Sequence, residues 1–224
     1  TVQALQFNIV PENEIENVVN GLAHDIVEVK GGHHSTGIHG NRYIYTVLSK
    51  FGKADLAYQI LTTPEFPSQT YVMNQGFTTW PERQFIWEEM EGPTNSLNHP
   101  MHSGFAAYFY ESLGGIKSSE SNPGYKMFIV NPEFPSDMTS TEVTVSTPYG
   151  EITNTWSIND NLLSMNIEVP FNTKAKLILT ALELETLQIN GKSLEDFKTQ
   201  ITLEIEEGAV VLGSGTYQIE YSKL

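Results

Sequence analysis

The spacing of apolar residues changes once along this chain of 224 residues, near position 120. Before that point, apolar residues recur every three or four positions, which is the period of a helix with one buried face. The strongest pattern predicts an amphipathic helix over residues 12–29, preceded by Pro11 and ended by Gly31-Gly32. Its apolar positions are Ile15, Val18, Val19, Leu22 and Ile26.

Weaker helical patterns lie on both sides of that helix. Val2, Leu5 and Ile9 predict a helix that is already under way where the sequence starts, and Pro100 opens another that should run to Gly114-Gly115. Two more are indicated by Ile44, Val47, Leu48 and Phe51, and by Ala54, Leu56, Ala57, Ile60 and Leu61. Residues 64–99 sustain no period, so we predict a long irregular segment, and such segments in compact domains are usually functional or disordered. Their many aromatic residues argue against disorder.

Beyond residues 118–124 the period changes to two, as in strands with one buried face. Apolar and polar residues alternate over residues 163–169, 201–205 and 217–221, and turn signals such as Asn190-Gly191 separate the runs. The pattern predicts an antiparallel β-sandwich of about 100 residues. We therefore predict a multi-domain chain, with a helical domain at residues 1–122 and a β-sandwich domain at residues 123–224.

Composition narrows the range of partners. The chain carries 27 acidic and 12 basic residues, a formal net charge of −15, which argues against nucleic acid or an anionic membrane as a partner. No apolar run approaches the roughly 20 residues of a membrane span. Cysteine is absent, which excludes disulfides and thiolate metal sites and leaves the redox compartment unreadable. No cofactor is indicated, and an uncharged ligand such as a sugar suits this composition.

The candidate chemistry lies in the irregular segment. Glu82 stands beside Trp80 and Arg83, and Asn98 and His99 follow shortly before Pro100. Aromatic rings stack on the apolar face of a pyranose, polar groups bind its hydroxyls, and a carboxylate can activate water. Taken alone, however, a glutamate in a loop is more often simply solvated.

A second candidate is the loop that carries His33, His34 and His39. Zinc sites need defined geometry and usually a further Asp, Glu or Cys ligand, which nothing in this stretch fixes. We therefore predict no metal site, and interpret the loop as ligand-facing or solvated.

Four stretches together resemble the α-L-rhamnosidases of glycoside hydrolase family 78. They share the order and spacing of that family's motifs, and no one of them is decisive alone. They are Thr36-Gly37-Ile38-His39-Gly40; Gly52-Lys53-Ala54-Asp55-Leu56-Ala57-Tyr58; Phe66-Pro67-Ser68 followed by Gly76-Phe77-Thr78-Thr79-Trp80-Pro81-Glu82-Arg83; and Asn98-His99-Pro100-Met101 before a helix ending Leu113-Gly114-Gly115-Ile116. The β region adds weaker support through Thr147-Pro148-Tyr149-Gly150 and Trp156.

The resemblance implies a fold and a mechanism. The catalytic domain would be an (α/α)6 barrel, of which this chain supplies the last helices, followed by the family's C-terminal all-β domain. It implies an inverting hydrolysis of terminal rhamnose from glycosides, with Glu82 at the position of the general base and His99 at a position that contacts the sugar. Trp80, Asn98 and Arg83 are the further substrate-binding candidates. The general acid would precede Thr1, so the chain is interpreted as a C-terminal fragment that is inactive alone.

Two residues depart from the family pattern. Pro81 stands where the family usually has tryptophan directly before the base, and Gln69 stands where it commonly has tryptophan after the Pro-Ser pair. Alternatives therefore stay open: another (α/α)6-barrel glycoside hydrolase, or a non-catalytic carbohydrate-binding or structural module. The exact sugar, linkage, aglycone and compartment are not specified, and both a bacterial cytoplasmic and an exported location fit.

The apolar faces of the first two predicted helices raise a question of assembly. With most barrel helices absent, we expect these faces to be incompletely covered, and exposed apolar patches promote association. Self-association of the isolated chain is therefore predicted.

Overall fold

The computed structural model describes residues 1–83, 96–119, 121–198, 204–206 and 208–223. The chain divides into two compact units, Thr1–Tyr108 and Phe109–Leu224. Helices dominate the first unit and strands the second, as the change of period predicts. The domain boundary predicted after residue 122 lies further along the chain than this division.

The first unit is built from short helices. Two stretches of different helical geometry adjoin the α-helix Ile15–His24: a 3₁₀ turn at Glu12–Glu14 and a π-helical turn at Asp25–Val29. The predicted helix over residues 12–29 is therefore helical throughout, although only its centre is α-helical. The α-helices are α1 (Val2–Gln6), α2 (Ile15–His24), α3 (Ile38–Asn41), α4 (Ile44–Lys50), α5 (Ala54–Thr62), α6 (Gln69–Asn74) and α7 (Ala106–Tyr108). A 3₁₀ turn at Pro100–Phe105 leads into α7, and a π turn at Phe109–Leu113 begins the second unit.

Two local predictions need correction. The first helix ends at Gln6, because Asn8 adopts a left-handed conformation with φ of 53°, and Ile9 beyond it is 71% exposed instead of lying on the buried face. The segment 64–99 is not wholly irregular, since it contains α6. This helix begins where the hydroxyl of Ser68 accepts a hydrogen bond from the backbone N–H of Tyr71 at 2.8 Å, which satisfies a donor that the first turn leaves open. The part of that segment at residues 84–95 lies outside the described residues.

The helix faces predicted to be uncovered are in fact largely buried. Helix α4 packs against α5 and α1, and Ile44, Leu48 and Ile60 of α4 and α5 are almost fully buried. Apolar residues of α1, α2 and the following π turn are also buried: Val2, Leu5, Val19, Leu22 and Ile26. The large apolar side chains left exposed near them are Phe7, Ile9, Val27 and Val29. No helix in the described part of the chain is long and apolar enough to cross a membrane.

The second unit contains two sheets. The first sheet consists of β1 (Ile116–Ser118), β2 (Met127–Val130), β6 (Lys174–Ile178), β10 (Ala209–Leu212) and β9 (Glu204–Glu206), in that spatial order. The second consists of β3 (Ser140–Thr147), β4 (Gly150–Asn159), β5 (Leu162–Val169), β11 (Gly215–Ser222), β7 (Gln188–Ile189) and β8 (Lys192–Ser193), in that order. Two short helices connect strands along the chain: α8 (Ala181–Thr186) follows β6, and α9 (Leu194–Lys198) follows β8.

The predicted alternating runs pair as expected in the second sheet. Strands β5 and β11 are antiparallel neighbours, with Tyr217 opposite Ile167 and Tyr221 opposite Leu163. One feature differs from the wholly antiparallel prediction, because β2 and β6 run parallel to each other. That pair is separated in sequence by β3, β4 and β5, so its direction is set by a long connection that a local alternating pattern does not encode. Of the run predicted at 201–205, residues 201–203 lie outside the described residues.

Both sheets contribute to one hydrophobic cluster. Phe128 and Leu177 of the first sheet are buried with Met165 and Ile219 of the second. Trp156 of β4 lies in the same cluster, 2% exposed, with the Phe134 ring edge-on at 4.9 Å.

The start of the second unit is fixed to β4 by side-chain hydrogen bonds. The Trp156 indole Nε1–H donates to the carbonyl of Leu113 at 2.7 Å, and the Asn154 Nδ2 amide donates to the carbonyl of Gly114 at 2.8 Å. Gly115 follows with φ of 69°, and a Cβ there would overlap the backbone of Pro132. Glycine is therefore required at this position for steric reasons.

Candidate active site

The two stretches that carry the predicted site residues lie side by side in the first unit. The backbone of residues 79–82 is joined to that of residues 96–99, which places Glu82 near the start of the Pro100–Phe105 turn. The joining hydrogen bonds run from the Thr79 hydroxyl to the Leu97 carbonyl at 2.7 Å, from the Glu82 N–H to the Ser96 carbonyl at 2.8 Å, and from the His99 N–H to the Trp80 carbonyl at 2.6 Å. These contacts fix the backbone of Glu82.

Glu82 lines a pocket of about 480 Å³, within the range of roughly 300–1,000 Å³ that is typical of small-molecule sites. The side chain is half-buried, so its carboxylate can reach both the pocket and water. The other lining residues come from the histidine loop, from the segment before α6, and from the Pro100–Phe105 turn. They are His34, Ser35, Thr36, Gly37, Ile38, Phe66, Pro67, Arg83 and His102.

The predicted substrate-binding residues divide into two groups. Arg83 lines the Glu82 pocket, and its side chain is exposed. Trp80, Asn98 and His99 are not among the described residues that line the pocket. The Trp80 ring is half-buried and makes a T-shaped contact with Phe105, with the ring centroids 4.9 Å apart. His99 is half-buried and Asn98 is exposed.

A buried polar network lies against this pocket, and reasoning from the sequence did not find it. Its members are almost completely buried, between 0% and 6% exposed: His34, Asn41, Tyr45, Gln69 and His102. They come from the histidine loop, α3, α4, α6 and the Pro100–Phe105 turn. His34 had been noted only as part of the histidine loop, and Gln69 only as a departure from a family pattern.

Asn41 is the centre of the network. Its Oδ1 accepts hydrogen bonds from Gln69 Nε2 at 3.1 Å and from the Tyr45 hydroxyl at 3.4 Å. Its Nδ2 lies 3.0 Å from His102 Nδ1. Gln69 Nε2 also donates to the Tyr45 oxygen at 3.3 Å, which itself lies 3.4 Å from His34 Nε2. The network therefore connects two pocket-lining histidines that are far apart in sequence.

Burial controls the ionisation of these groups. Burial lowers the pKa of His34 from 6.5 to about 4, and the neighbouring His102 and His33 add to the effect. Burial also lowers the pKa of His102, and a hydrogen bond with the backbone of Glu82 is the largest opposing effect; the neighbouring His99 adds to the lowering, and the Glu82 charge opposes it. Burial raises the pKa of Tyr45, against the effect of its hydrogen bond from Gln69. Both histidines are therefore neutral at pH 7, and they offer the pocket hydrogen-bonding groups without positive charge.

The histidine loop contains three separate environments. His33 Nδ1 lies 3.2 Å from the carbonyl of Pro67, His34 Nδ1 lies 3.0 Å from the Thr36 hydroxyl, and His39 is exposed. Within the described ranges, no group of three or more His, Asp or Glu side chains is arranged to hold a metal ion.

The network could not be read from local patterns. Asn41 and Tyr45 are four residues apart, a spacing that is ordinary on any helix surface. Their partners Gln69 and His102 lie 28 and 61 residues from Asn41. One signal was present in the sequence. Gln69, a polar residue, stands where the family commonly has tryptophan, and a buried polar side chain needs a hydrogen-bonding partner.

We predict that the helical unit loses stability as pH falls from about 6.5 to 4. His34 has a lower pKa when folded than when unfolded, so the unfolded state binds the extra proton, and the full contribution of His34 to stability is present above pH 6.5. A shift of this size corresponds to a loss of about 3 kcal/mol in the free energy of unfolding. Urea unfolding at a series of pH values, followed by far-ultraviolet circular dichroism, measures it.

The His34→Gln variant isolates this contribution, because glutamine cannot take up the proton. The difference in pH dependence between wild type and variant should extend over pH 4–6.5, and His39→Gln, which changes an exposed histidine, should behave as wild type. Identical pH profiles for wild type and His34→Gln would contradict the prediction.

Both parts of the chain match known protein families. Residues 1–113, which include the Glu82 pocket, match the model of the "bacterial alpha-L-rhamnosidase 6 hairpin glycosidase domain". Residues 115–193 match the model of the "bacterial alpha-L-rhamnosidase C-terminal domain". The chain belongs to the bacterial α-L-rhamnosidase family.

Individual relatives agree with this family. An alpha-L-rhamnosidase from Formosa agariphila is 70% identical over the whole of this chain, which corresponds to 24% of that protein. The structure of an alpha-L-rhamnosidase from Dictyoglumus thermophilum matches with a TM-score of 0.83 and 30% identity, over 99% of this chain and 25% of that one. A Streptomyces avermitilis alpha-L-rhamnosidase complexed with L-rhamnose matches with a TM-score of 0.80 and 26% identity, over 99% and 21%. The chain thus spans about a quarter of the length of the relatives it matches.

Proposed function

We propose that this chain is the C-terminal part of an inverting α-L-rhamnosidase, which removes terminal rhamnose from glycosides. The observation that carries the proposal is the position of Glu82, a half-buried carboxylate that lines a pocket of about 480 Å³ inside the glycosidase domain. In this proposal the first unit supplies the last helices of an (α/α)6 barrel, and the two sheets of the second unit form the C-terminal β-sandwich.

Glu82 acts as the general base. Its carboxylate takes a proton from a water molecule as the oxygen of that water bonds to the anomeric carbon of the sugar. The bond from this carbon to the glycosidic oxygen breaks, and the leaving oxygen receives a proton from a general acid that lies outside this chain. Because the water must fit between the sugar and the base, the acid and Glu82 should lie about 6.5–9.5 Å apart. The isolated chain, which lacks the acid, is then inactive.

The remaining predicted residues bind the sugar. His99 and Asn98 offer polar groups for its hydroxyls, and the half-buried Trp80 ring offers an apolar face for stacking. Arg83 adds a hydrogen-bond donor at the exposed side of the pocket. The two pocket-lining histidines of the network are neutral at pH 7, which suits an uncharged ligand with many hydroxyl groups.

Two residues favour a second candidate function, which is hydrolysis of a different glycoside by an enzyme with the same barrel. Pro81 and Gln69 both depart from the family pattern, and Gln69 belongs to the network against the pocket. Since the same fold supports many substrates, a change in the network beside the pocket can alter substrate preference without altering the class of reaction.

The full-length protein that contains this chain should hydrolyse an aryl α-L-rhamnoside with inversion. Proton NMR of the first product should show β-L-rhamnose before mutarotation, because a single displacement reverses the anomeric configuration. An aryl α-L-fucoside and an aryl β-D-glucoside, tested in parallel, measure selectivity. First formation of the α-anomer would contradict the role of Glu82 as base, and preferential cleavage of another glycoside would favour the second candidate.

A further inference from the structure

We propose that Asn41 and His102 are positioning residues for Glu82, which hold the backbone of Glu82 through buried hydrogen bonds and so keep its carboxylate in place. The role of Glu82 as general base rests on the function proposed above. Neither Asn41 nor His102 needs to contact the sugar, because both act through Glu82.

The backbone of Glu82 is held at two points. Its N–H donates to the Ser96 carbonyl at 2.8 Å. A second hydrogen bond joins the backbone of Glu82 to His102, and because this bond raises the pKa of the imidazole, the ring is the donor and the Glu82 carbonyl is the acceptor. His102 lines the same pocket and is only 6% exposed, so water does not readily replace this bond.

Asn41 determines which nitrogen of His102 carries the proton. Asn41 Oδ1 accepts from Gln69 Nε2 and from the Tyr45 hydroxyl, so the other end of the amide, Nδ2, faces the imidazole. Nδ2 is a donor, and therefore His102 Nδ1 accepts at 3.0 Å. A neutral imidazole that accepts at Nδ1 carries its proton on Nε2. Nε2 is buried and has no other hydrogen-bond partner among the described residues, so its proton serves the Glu82 carbonyl.

The other half of the network has the same direction. The Tyr45 hydroxyl uses its single proton toward Asn41 Oδ1, so its oxygen can only accept from His34 Nε2. His34 is then protonated on Nε2, and its Nδ1 accepts from the Thr36 hydroxyl at 3.0 Å. Each group along this path accepts from one neighbour and donates to the next, and the path ends on the backbone of Glu82.

The network is a more rigid support than the surroundings of the Glu82 side chain itself. That side chain is half-buried, whereas the members of the network are between 0% and 6% exposed. A catalytic group must be held within about 0.5 Å of its working position, and a displacement of about 1 Å can lower the rate by about 10²-fold. The buried network therefore supplies a fixed point for a carboxylate at the edge of a pocket.

Three substitutions in the full-length protein test this role. His102→Phe keeps a ring without a donor, Asn41→Leu keeps the shape of the side chain without its amide, and His102→Gln can place an amide N–H near the position of Nε2. We expect kcat for an aryl α-L-rhamnoside to fall by about 10- to 100-fold in His102→Phe and by about 10-fold in Asn41→Leu, and to stay within about 3-fold of wild type in His102→Gln. Binding of L-rhamnose, measured by calorimetry, should stay within about 3-fold in all three.

Ile60→Val is the control for a simple loss of stability. Ile60 lies on α5, is 1% exposed and takes no part in the network, so the substitution loosens the helical unit without changing the hydrogen bonds that lead to Glu82. Its kcat should equal that of wild type at a temperature at which thermal unfolding shows every variant to be folded. An equal fall of kcat in Ile60→Val and His102→Phe would overturn the proposal.

A double-mutant cycle shows whether His102 acts through Glu82. In the Glu82→Gln background there is no carboxylate left to position, so His102→Phe should change the residual kcat by less than about 2-fold. If His102→Phe lowers kcat by the same factor in both backgrounds, the two residues act independently and the proposal is wrong.

The same measurements separate this proposal from the proposed function. If Glu82→Gln lowers kcat while His102→Phe and Asn41→Leu do not, the positioning role is wrong and the base remains assigned. Lost binding of L-rhamnose with unchanged kcat in His102→Phe would also overturn the positioning role. If Glu82→Gln leaves kcat at the wild-type level, or the wild type does not cleave rhamnosides, the proposed function fails and the positioning role fails with it.

Discussion

Replacing Glu82 with glutamine in the full-length protein should lower kcat for an aryl α-L-rhamnoside by about 10²–10⁴-fold, while binding of L-rhamnose stays close to wild type. Glutamine keeps the shape and the polar character of the side chain but cannot accept a proton from water. Because the proton is transferred only in the transition state, its loss should appear in kcat and not in ground-state binding. Steady-state kinetics and calorimetry on the same preparation measure the two quantities.

Glu65→Gln is a suitable control for Glu82→Gln. Glu65 is exposed and precedes the pocket residue Phe66, so the substitution makes the same change of charge near the pocket without touching its lining. Its kcat should equal that of wild type. If Glu82→Gln changes neither kcat nor sugar binding, Glu82 takes no part in the reaction. If kcat is unchanged but sugar binding is lost, Glu82 serves only in binding. A complete absence of hydrolysis in the wild type would favour a non-catalytic carbohydrate-binding module.

The second large effect concerns the core of the sheet-rich unit. Trp156→Ala should lower the free energy of unfolding of this unit by about 3–5 kcal/mol, because it leaves a cavity in a packed interior. It also removes the indole donor that binds the Leu113 carbonyl at 2.7 Å and the edge-on contact with Phe134. Urea unfolding monitored by circular dichroism in the β-sheet region gives the value.

Two further variants divide this loss into its parts. Trp156→Phe keeps most of the apolar contact but leaves the Leu113 carbonyl without its donor, so it should cost less than Trp156→Ala. Phe171→Ala removes an aromatic ring that is 86% exposed, and surface substitutions of this kind usually change stability by less than about 0.5 kcal/mol. Equal losses for Trp156→Ala and Phe171→Ala would show that Trp156 is not part of the core.

The sequence predicted the helices and strands better than it predicted how the strands pair. The helix over residues 12–29 and the strand pair β5–β11 follow from periodic spacing, because burial of one face repeats every few residues. The parallel pairing of β2 with β6 and the early end of α1 depend on a distant connection and on one left-handed residue, Asn8. Neither leaves a periodic signal. Helix α6 was missed because only Val72 on it is a buried apolar residue.

The candidate site, too, was predicted only in part from the sequence. Glu82 was predicted from a motif, and its pocket needed three segments to meet: the histidine loop, the segment before α6 and the Pro100–Phe105 turn. Nothing in the sequence around His102, three residues after His99, indicates the buried network to which it belongs. Its importance comes from Asn41, 61 residues earlier, through a hydrogen bond that only folding creates.

The directed hydrogen bonds through Asn41 also limit how this protein can change by single mutations. A substitution at Gln69, Tyr45 or His102 leaves a buried donor or acceptor of a neighbouring residue without its partner, so each change is unfavourable by itself, whereas a second change that restores a partner can compensate for it. In a deep mutational scan, these positions should appear intolerant singly and compensatory in pairs. A library that seeks a new sugar preference should therefore randomise Gln69, Asn41 and His102 together, since one-at-a-time searches would discard the intermediates that lead to it.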